Sequence, residues 1–174
     1  MSIRKRGVWT IIEERIGRQK AKMTVLRKML ETGIRVGEDG RYYISDIEVP
    51  DASISKSLKV DRRVIRQAAD VILDEPELES IFTKLMPIAF LRDVASYLGF
   101  GVIIITSSPE KAGIISEVTT IAAKHKLIIR QIYAEDPELF QEPKLTLIIE
   151  GDVPSEAIAE LQSSKKVKTL TIIK

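Results

Sequence analysis

Phe100-Gly101-Val102-Ile103-Ile104-Ile105-Thr106, then Gly113-Ile114-Ile115-Ser116-Glu117-Val118, then Leu127-Ile128-Ile129-Arg130-Gln131-Ile132-Tyr133-Ala134 decide the fold of the C-terminal half. The first run is continuous and rich in β-branched residues, as a buried strand is. From Gly113 to Lys124 the residues Ile114, Ile115, Val118, Ile121 and Ala122 fall on one helical face, and residues 127–134 return to strand-like composition. Leu145 to Ile149 predicts another strand. Pro154 stands at a helix N1 position before Ala157, Ile158 and Leu161, and Val167 to Ile173 predicts a closing strand. The order over residues 98–174 is βαββαβ. It predicts a ferredoxin-like unit, a four-stranded antiparallel sheet with two helices on one face.

Upstream the hydrophobic period is helical. Ala21, Val25, Leu26, Met29 and Leu30 predict a helix over 19–32, with Gly33 where a left-handed C-cap belongs. Trp9, Ile12 and Ile16 predict a shorter helix before it. Ile34 to Val36 and Tyr42 to Val49 flank Gly37-Glu38-Asp39-Gly40, a turn signal that predicts a small β-hairpin. Pro50-Asp51 opens a short helix to Leu58, and Asp61 caps a longer one whose stripe is Val64, Ile65, Ala68, Ala69 and Ile72. Two helices separated by Lys59-Val60 fit a helix-turn-helix. An acidic break, Asp74-Glu75-Pro76-Glu77, leads into a segment with Ile81, Phe82, Leu85, Ile88, Leu91, Val94 and Ala95, read as a connecting helix that Pro87 kinks or splits and that packs on both modules. The whole is α+β: a helix-turn-helix-like module over 1–73, the connecting segment over 74–97, and the βαββαβ unit over 98–174.

Composition narrows the chemistry. The 174 residues carry 27 Lys and Arg against 25 Asp and Glu, a net +2, with one His and no Cys. Disulfides, iron–sulfur clusters, thiolate zinc sites, a Cys nucleophile and a His-rich metal centre are excluded. No apolar run approaches the roughly 18 residues that a bilayer span requires. The apolar stretch after Arg4-Lys5-Arg6 is too short for a secretory segment, so a cytoplasmic protein is expected. The sequence has no Asn and five Gln among 30% charged residues, a bias that fits a thermophilic source. Net charge is +6 over residues 1–73, −3 over 74–97 and −1 over 98–174, which suggests two modules with different partners.

The turn after the first strand of the C-terminal unit reads Ser107-Ser108-Pro109-Glu110-Lys111-Ala112-Gly113-Ile114-Ile115. A glycine at a helix start lets backbone amides approach a small anionic group; it also simply eases a tight strand-to-helix turn, and both readings stand. With the βαββαβ order, Glu110 to Ile115 and Leu127-Ile128-Ile129 resemble an ACT domain, a small amino-acid-sensing module. Arg130-Gln131-Ile132, Glu135-Asp136-Pro137-Glu138, Glu142-Pro143-Lys144-Leu145 and Val60-Asp61-Arg62-Arg63-Val64 are similar to archaeal predicted regulators of amino-acid metabolism. Those join a helix-turn-helix-like part to an ACT domain. The resemblance covers nearly the whole chain. It implies a small-molecule effector, an amino acid by class, and a homodimer. The candidate ligand residues are Glu110, Gly113, Ile114, Ile115, Ile128 and Gln131. Glu110 would pair with an ammonium group and the amides of Ile114 and Ile115 would grip a carboxylate. The usual Asp-any-Pro-Gly turn has Glu110 and Ala112 at its first and third places here, and Ile128 stands where such domains often carry a ligand-holding Asn.

A period of two along the strands puts Ile128, Arg130 and Ile132 on the same sheet face as Thr146 and Ile148. A face without helices must meet a partner or water, so Ile128, Ile132 and Ile148 are the expected dimer interface, with a solvated face as the alternative. In the N-terminal module Arg62, Arg63, Arg66 and Gln67 lie off the apolar stripe and suit phosphates and base edges. A helical protein-interaction domain is the competing reading. Lys59 occupies a turn position that often holds Gly. No catalytic set is legible: a phosphate-cradling loop of the acylphosphatase type needs an Asn, His125 lies between two lysines at a helix end, and Glu135-Asp136 falls in a hairpin loop. The resemblance implies a ligand-responsive regulator of amino-acid metabolism acting on transcription, and the residues add no sign of an enzyme or a cofactor. The alternative is a regulatory subunit that acts on a biosynthetic enzyme by protein contact without binding DNA.

Overall fold

A computed structural model describes residues 7–17, 19–107 and 112–173. The chain forms two compact units, Met1–Ile88 and Ala89–Lys174. Among the described residues no helix is long and apolar enough to cross a membrane.

The first unit runs α1 (Val8–Ile16), α2 (Lys20–Thr32), β1 (Arg35–Val36), β2 (Tyr42–Ile44), β3 (Ile47–Val49), α3 (Asp51–Leu58), α4 (Arg62–Asp74) and α5 (Pro76–Phe82). Helices α2, α3 and α4 begin and end where the sequence places their caps. Gly33 takes φ +70° and donates its N–H to the Met29 carbonyl at 2.8 Å, while a Cβ there would lie 2.5 Å from the backbone of Met86 and Pro87. Position 33 therefore needs glycine twice, for its left-handed backbone and for space. Asp61 caps α4 by accepting the Arg63 N–H at 2.7 Å. The apolar stripe of α4 (Ile65, Ala68, Ala69, Ile72) packs with Val25, Leu26 and Met29 of α2, and Leu78 and Phe82 of α5 close the same core.

The expected hairpin is a three-stranded meander, β1-β2-β3, all antiparallel. The run Tyr42 to Val49 does not continue as one strand because Ser45 turns at φ +53°, pairing Tyr42 with both Val36 and Val49. Tyr42 is fully buried and donates its hydroxyl to the Ile65 carbonyl at 2.6 Å, which fastens the small sheet to α4.

The second unit contains β4 (Phe100–Ser107), α6 (Ile114–Lys124), β5 (Ile129–Ala134), β6 (Lys144–Glu150), α7 (Ser155–Ser163) and β7 (Val167–Ile173). The sheet order is β5-β6-β4-β7 with every pairing antiparallel, which is the split-βαβ arrangement. Ile103, Ile105, Leu145, Leu147 and Ile149 face the helices and pack with Val118, Ala157 and Leu161.

The segment after α5 departs from expectation. The helix ends at Phe82 and does not run to residue 97. Pro87 lacks an N–H and disfavours helical geometry at Met86, so the helix cannot pass through it. From Ala89 the chain belongs to the second unit and makes two short 3-10 turns, Arg92–Val94 and Ser96–Leu98. These lie on the sheet face away from the helices, where Leu91 and Ala95 pack with Val102, Ile104 and Ile148. Ile148, expected on an uncovered face, is 0% exposed beneath them.

A bulge in β5 also moves the expected faces. Ile129 pairs with Ile149, but Gln131 pairs with Ile148, so Arg130 is the extra residue. Past it, Ile132 pairs with Leu147 on the helix side, while Gln131 and Tyr133 join Ile148 and Thr146 on the other. Ile132 and Ile148 therefore do not share a face.

Candidate functional site

In the first unit, α3 and α4 are joined by Lys59-Val60-Asp61, and Lys59 takes φ +55°, the left-handed conformation usually given to glycine. The turn is held by Ser55, whose hydroxyl donates to the Val60 carbonyl at 2.7 Å and whose own carbonyl accepts the Val60 N–H at 3.2 Å. Ile54 of α3 and Ile65 of α4 share the core. This fixes the two helices to each other and leaves the polar face of α4 outward: Arg62, Arg63, Arg66 and Gln67 are all exposed. The four predicted residues thus come together at the start of one helix. Sequence reasoning missed their anionic neighbour. Asp51, in the first turn of α3, accepts from Arg66 Nε at 3.1 Å, and its Oδ2 stands 3.9 Å from Arg62 Nε. Such a face, two guanidinium groups beside one carboxylate with the exposed Arg63 next to them in the helix, can meet phosphates and base edges or an acidic protein surface.

In the second unit, Glu110 lies outside the described residues. Gly113 caps α6 with φ +90°, a conformation that favours glycine, and among the described residues the atom nearest a Cβ there is the mobile end of Lys166. Ile114 and Ile115 follow in the first helical turn, where backbone N–H groups have no intrahelical acceptor. A cavity of about 140 Å³ opens beside them, bounded by Ser107 at the end of β4, by Ile114 and Ile115, by Glu135 and Pro143 of the β5–β6 connection and by Lys144 at the start of β6. Glu135 is held in place: its N–H donates to the Lys144 carbonyl at 2.9 Å and its carboxylate accepts the Lys144 N–H at 3.0 Å. Aliphatic walls, the Ser107 hydroxyl and the charged residues Glu135 and Lys144 together suit a small molecule with both apolar and polar groups.

The other two predicted ligand residues are elsewhere. The carbonyl of Ile128 accepts from Glu150, and Glu150 pairs with Phe100, so Ile128 lies at the start of β4 while the cavity lies at its end. Gln131 is used by the fold. Its Oε1 accepts the Leu91 N–H at 3.1 Å and its Nε2 donates to the Ala89 carbonyl at 2.8 Å, so it clips the 89–98 segment to the sheet. Phe90 adds a ring contact to Tyr133 at 4.8 Å between centroids. The loop residues Glu135, Pro143 and Lys144 were legible as a hairpin connection, but nothing in the sequence brought them to the first strand's end.

A polar cluster anchors the start of α6. Lys166 Nζ is 3.3 Å from Glu117 Oε2 and 3.4 Å from the Gly113 carbonyl, and Glu117 also accepts from the Ser164 hydroxyl. The Ser164 hydrogen bond, helped by Lys166, holds the Glu117 carboxyl below its ordinary range. Among the described residues no group of three or more His, Cys, Asp or Glu side chains could hold a metal ion.

No family model and no curated protein matches the chain. Among solved structures, the crystal structure of PH0061 is 14% identical, with 89% of this chain and 90% of that chain covered and a TM-score of 0.30. A transcriptional regulatory protein from Pyrococcus furiosus, PF0864, a member of the ASNC family, is 11% identical, with 87% of this chain and 85% of that chain covered and a TM-score of 0.26.

Proposed function

We propose that this chain is a ligand-responsive regulator of amino-acid metabolism, with no catalytic activity of its own. In this reading the first unit binds duplex DNA through α4, and the second unit, an ACT-like domain, senses a small metabolite of the amino-acid class at the cavity beside Ile114 and Ile115. The observation that carries the reading is the exposed start of α4, where Arg62, Arg63, Arg66 and Gln67 are presented by a two-helix pair whose turn residue, Lys59, is left-handed. The cavity supports an effector of modest size, since about 140 Å³ lies below the range of drug-sized sites. A homodimer through the second unit belongs to the same reading. Its surface departs from the expected one: Ile128 and Ile132 are exposed but lie on opposite sides of the sheet because of the bulge at Arg130, and Ile148 is withdrawn under residues 89–98.

The test is binding of the full chain to duplex DNA across a salt series, with and without each amino acid. Affinity should fall steeply with salt because phosphate neutralisation releases counterions, and at least one amino acid should both raise the melting temperature and shift the affinity. No binding at low salt, or affinity indifferent to every stabilising amino acid, overturns the reading. Light scattering checks the dimer, which should be lost when Ile128 and Ile132 are replaced by Asp.

A second reading, a regulatory subunit acting by protein contact, is favoured by one observation. Asp51 offsets part of the charge of Arg62 and Arg66, leaving a surface that also suits an acidic protein. Co-purification of a biosynthetic enzyme, lost on replacing Arg62, Arg63 and Arg66 by Ala, would favour it.

A further inference from the structure

The three arginines of α4 are not equivalent, and Asp51 is what separates them. Its carboxylate belongs to the first turn of α3, where the helix dipole favours negative charge, and its side chain is only 21% exposed. Arg66 reaches it through Nε at 3.1 Å, yet the arginine side chain remains 64% exposed. Arg62 stands farther off at 3.9 Å, beyond hydrogen-bond distance, and among the described residues Arg63 contributes only its backbone N–H, to Asp61.

A guanidinium has two uses in nucleic-acid recognition. As a phosphate ligand it works by net charge, and an adjacent carboxylate weakens it. As a base reader it works by geometry: two terminal N–H donors must meet O6 and N7 of guanine together. Tying Nε to a fixed carboxylate removes much of the side chain's rotational freedom and leaves both terminal amino groups for an outside acceptor pair. Asp51 therefore makes Arg66 a poorer phosphate ligand and a better-oriented fork. The guanine edge presents acceptors only, so the neighbouring carboxylate does not compete for its hydrogen-bonding sites.

Resting on the DNA reading above, we propose that Arg66, oriented by Asp51, is the guanine-reading residue of this surface, with Asp51 a positioning residue and Arg62 and Arg63 the phosphate contacts. The specific partner is then a duplex with a fixed guanine in the major groove facing the first turns of α4.

The experiment uses the full chain and a pool of duplexes randomised over a central segment, selected at moderate salt. The recovered duplex is then compared with versions carrying adenine or 7-deazaguanine at each fixed guanine. For the parent, one guanine should matter by about 5- to 150-fold, and 7-deazaguanine should lose much of that preference. Arg66→Ala and Asp51→Ala should each erase it at that position only; Arg66→Ala should leave the slope of affinity against salt unchanged, and Asp51→Ala, which frees the neighbouring guanidinium groups from the carboxylate, should not lower it. Asp51→Asn, which keeps an acceptor oxygen, should retain part of it. Arg62→Ala or Arg63→Ala should lower the salt slope by about 0.9 each while the guanine preference persists. A guanine preference indifferent to Asp51→Ala, with folding confirmed by an unchanged melt, overturns the proposal. So does a salt slope that drops on Arg66→Ala. Binding to duplexes without any base preference defeats this inference and spares DNA binding; no binding at low salt defeats both.

Discussion

Replacing Gln131 by Leu should loosen the 89–98 segment without touching the candidate effector cavity. The substitution keeps the bulk of the side chain and removes two hydrogen bonds, from the Leu91 N–H at 3.1 Å and to the Ala89 carbonyl at 2.8 Å. Neutral hydrogen bonds contribute about 0.5–1.5 kcal/mol each, so the clip holds the segment by about 1–3 kcal/mol. The apolar contacts of Leu91 and Ala95 on Val102 and Ile148 remain and keep the segment docked most of the time. Amide exchange at Leu91, resolved by NMR on the full chain, should accelerate about 5- to 150-fold, with much smaller changes in the central strands β4 and β6. Amino-acid binding should change little, because Gln131 pairs with Ile148 and does not line the cavity beside Ile114 and Ile115. Exchange at Leu91 within twofold of the parent refutes the clip. Loss of effector binding with unchanged Leu91 protection would return Gln131 to the ligand role suggested by the sequence.

Four further substitutions test other contacts. Tyr42→Phe should destabilise the first unit by about 1 kcal/mol by removing the buried hydroxyl that meets the Ile65 carbonyl, read as a lower midpoint in denaturant. Burial holds the Tyr42 phenol above its ordinary range; its stabilising share is full below about pH 10 and is lost as pH rises beyond it, so the parent should weaken more steeply than Tyr42→Phe in alkaline melts. Lys59→Gly should raise stability by about 0.5–1 kcal/mol, since φ +55° strains a lysine, and an unchanged or lower melting temperature would contradict the strained turn. Hydrogen bonds from Lys124, then His125, hold the Glu160 carboxyl below its ordinary range; stability tied to it is present above about pH 4.5 and lost as pH falls through the folded value, so Glu160→Gln should flatten the acid limb of the melt. Gly113→Val should cost about 1–2 kcal/mol from its φ of +90° and abolish amino-acid stabilisation, and full retention of that stabilisation would move the effector site away from the start of α6.

The elements legible in the sequence are those whose signal is local. The periodicity of α2 and α4, the glycine cap at Gly33 and the Asp61 cap are each written within a few residues, and the structure places them there. The βαββαβ order of the second unit was legible for the same reason, because each strand and helix carries its own period and the sheet order follows from connecting them. The hairpin went wrong at Ser45, whose positive φ breaks a run that composition alone reads as continuous. The segment after Phe82 went wrong because its apolar spacing is compatible with a helix. Proline at 87 and the free face of a sheet across from Leu91 and Ala95 decide otherwise, and the second of these is a tertiary fact.

Site residues were harder to read because they depend on register, which local signals do not fix. A strict period of two sets Gln131 opposite Ile128 and groups Ile132 with Ile148; one extra residue, Arg130, reverses both statements. A single bulge thus turns a predicted ligand arm into a clip for the sheet's cover and dissolves a predicted interface triad. The α4 face survived because it needs no register: Arg62, Arg63, Arg66 and Gln67 share one helix start, and helical spacing alone puts them together. What spacing cannot show is Asp51, fifteen residues upstream of Arg66 and brought to it only when the Lys59 turn folds α3 against α4. The carboxylate that distinguishes one arginine from the others is therefore a product of the turn, and if the proposed DNA reading holds, straining or relaxing that turn should change base preference before it changes the charge of the surface.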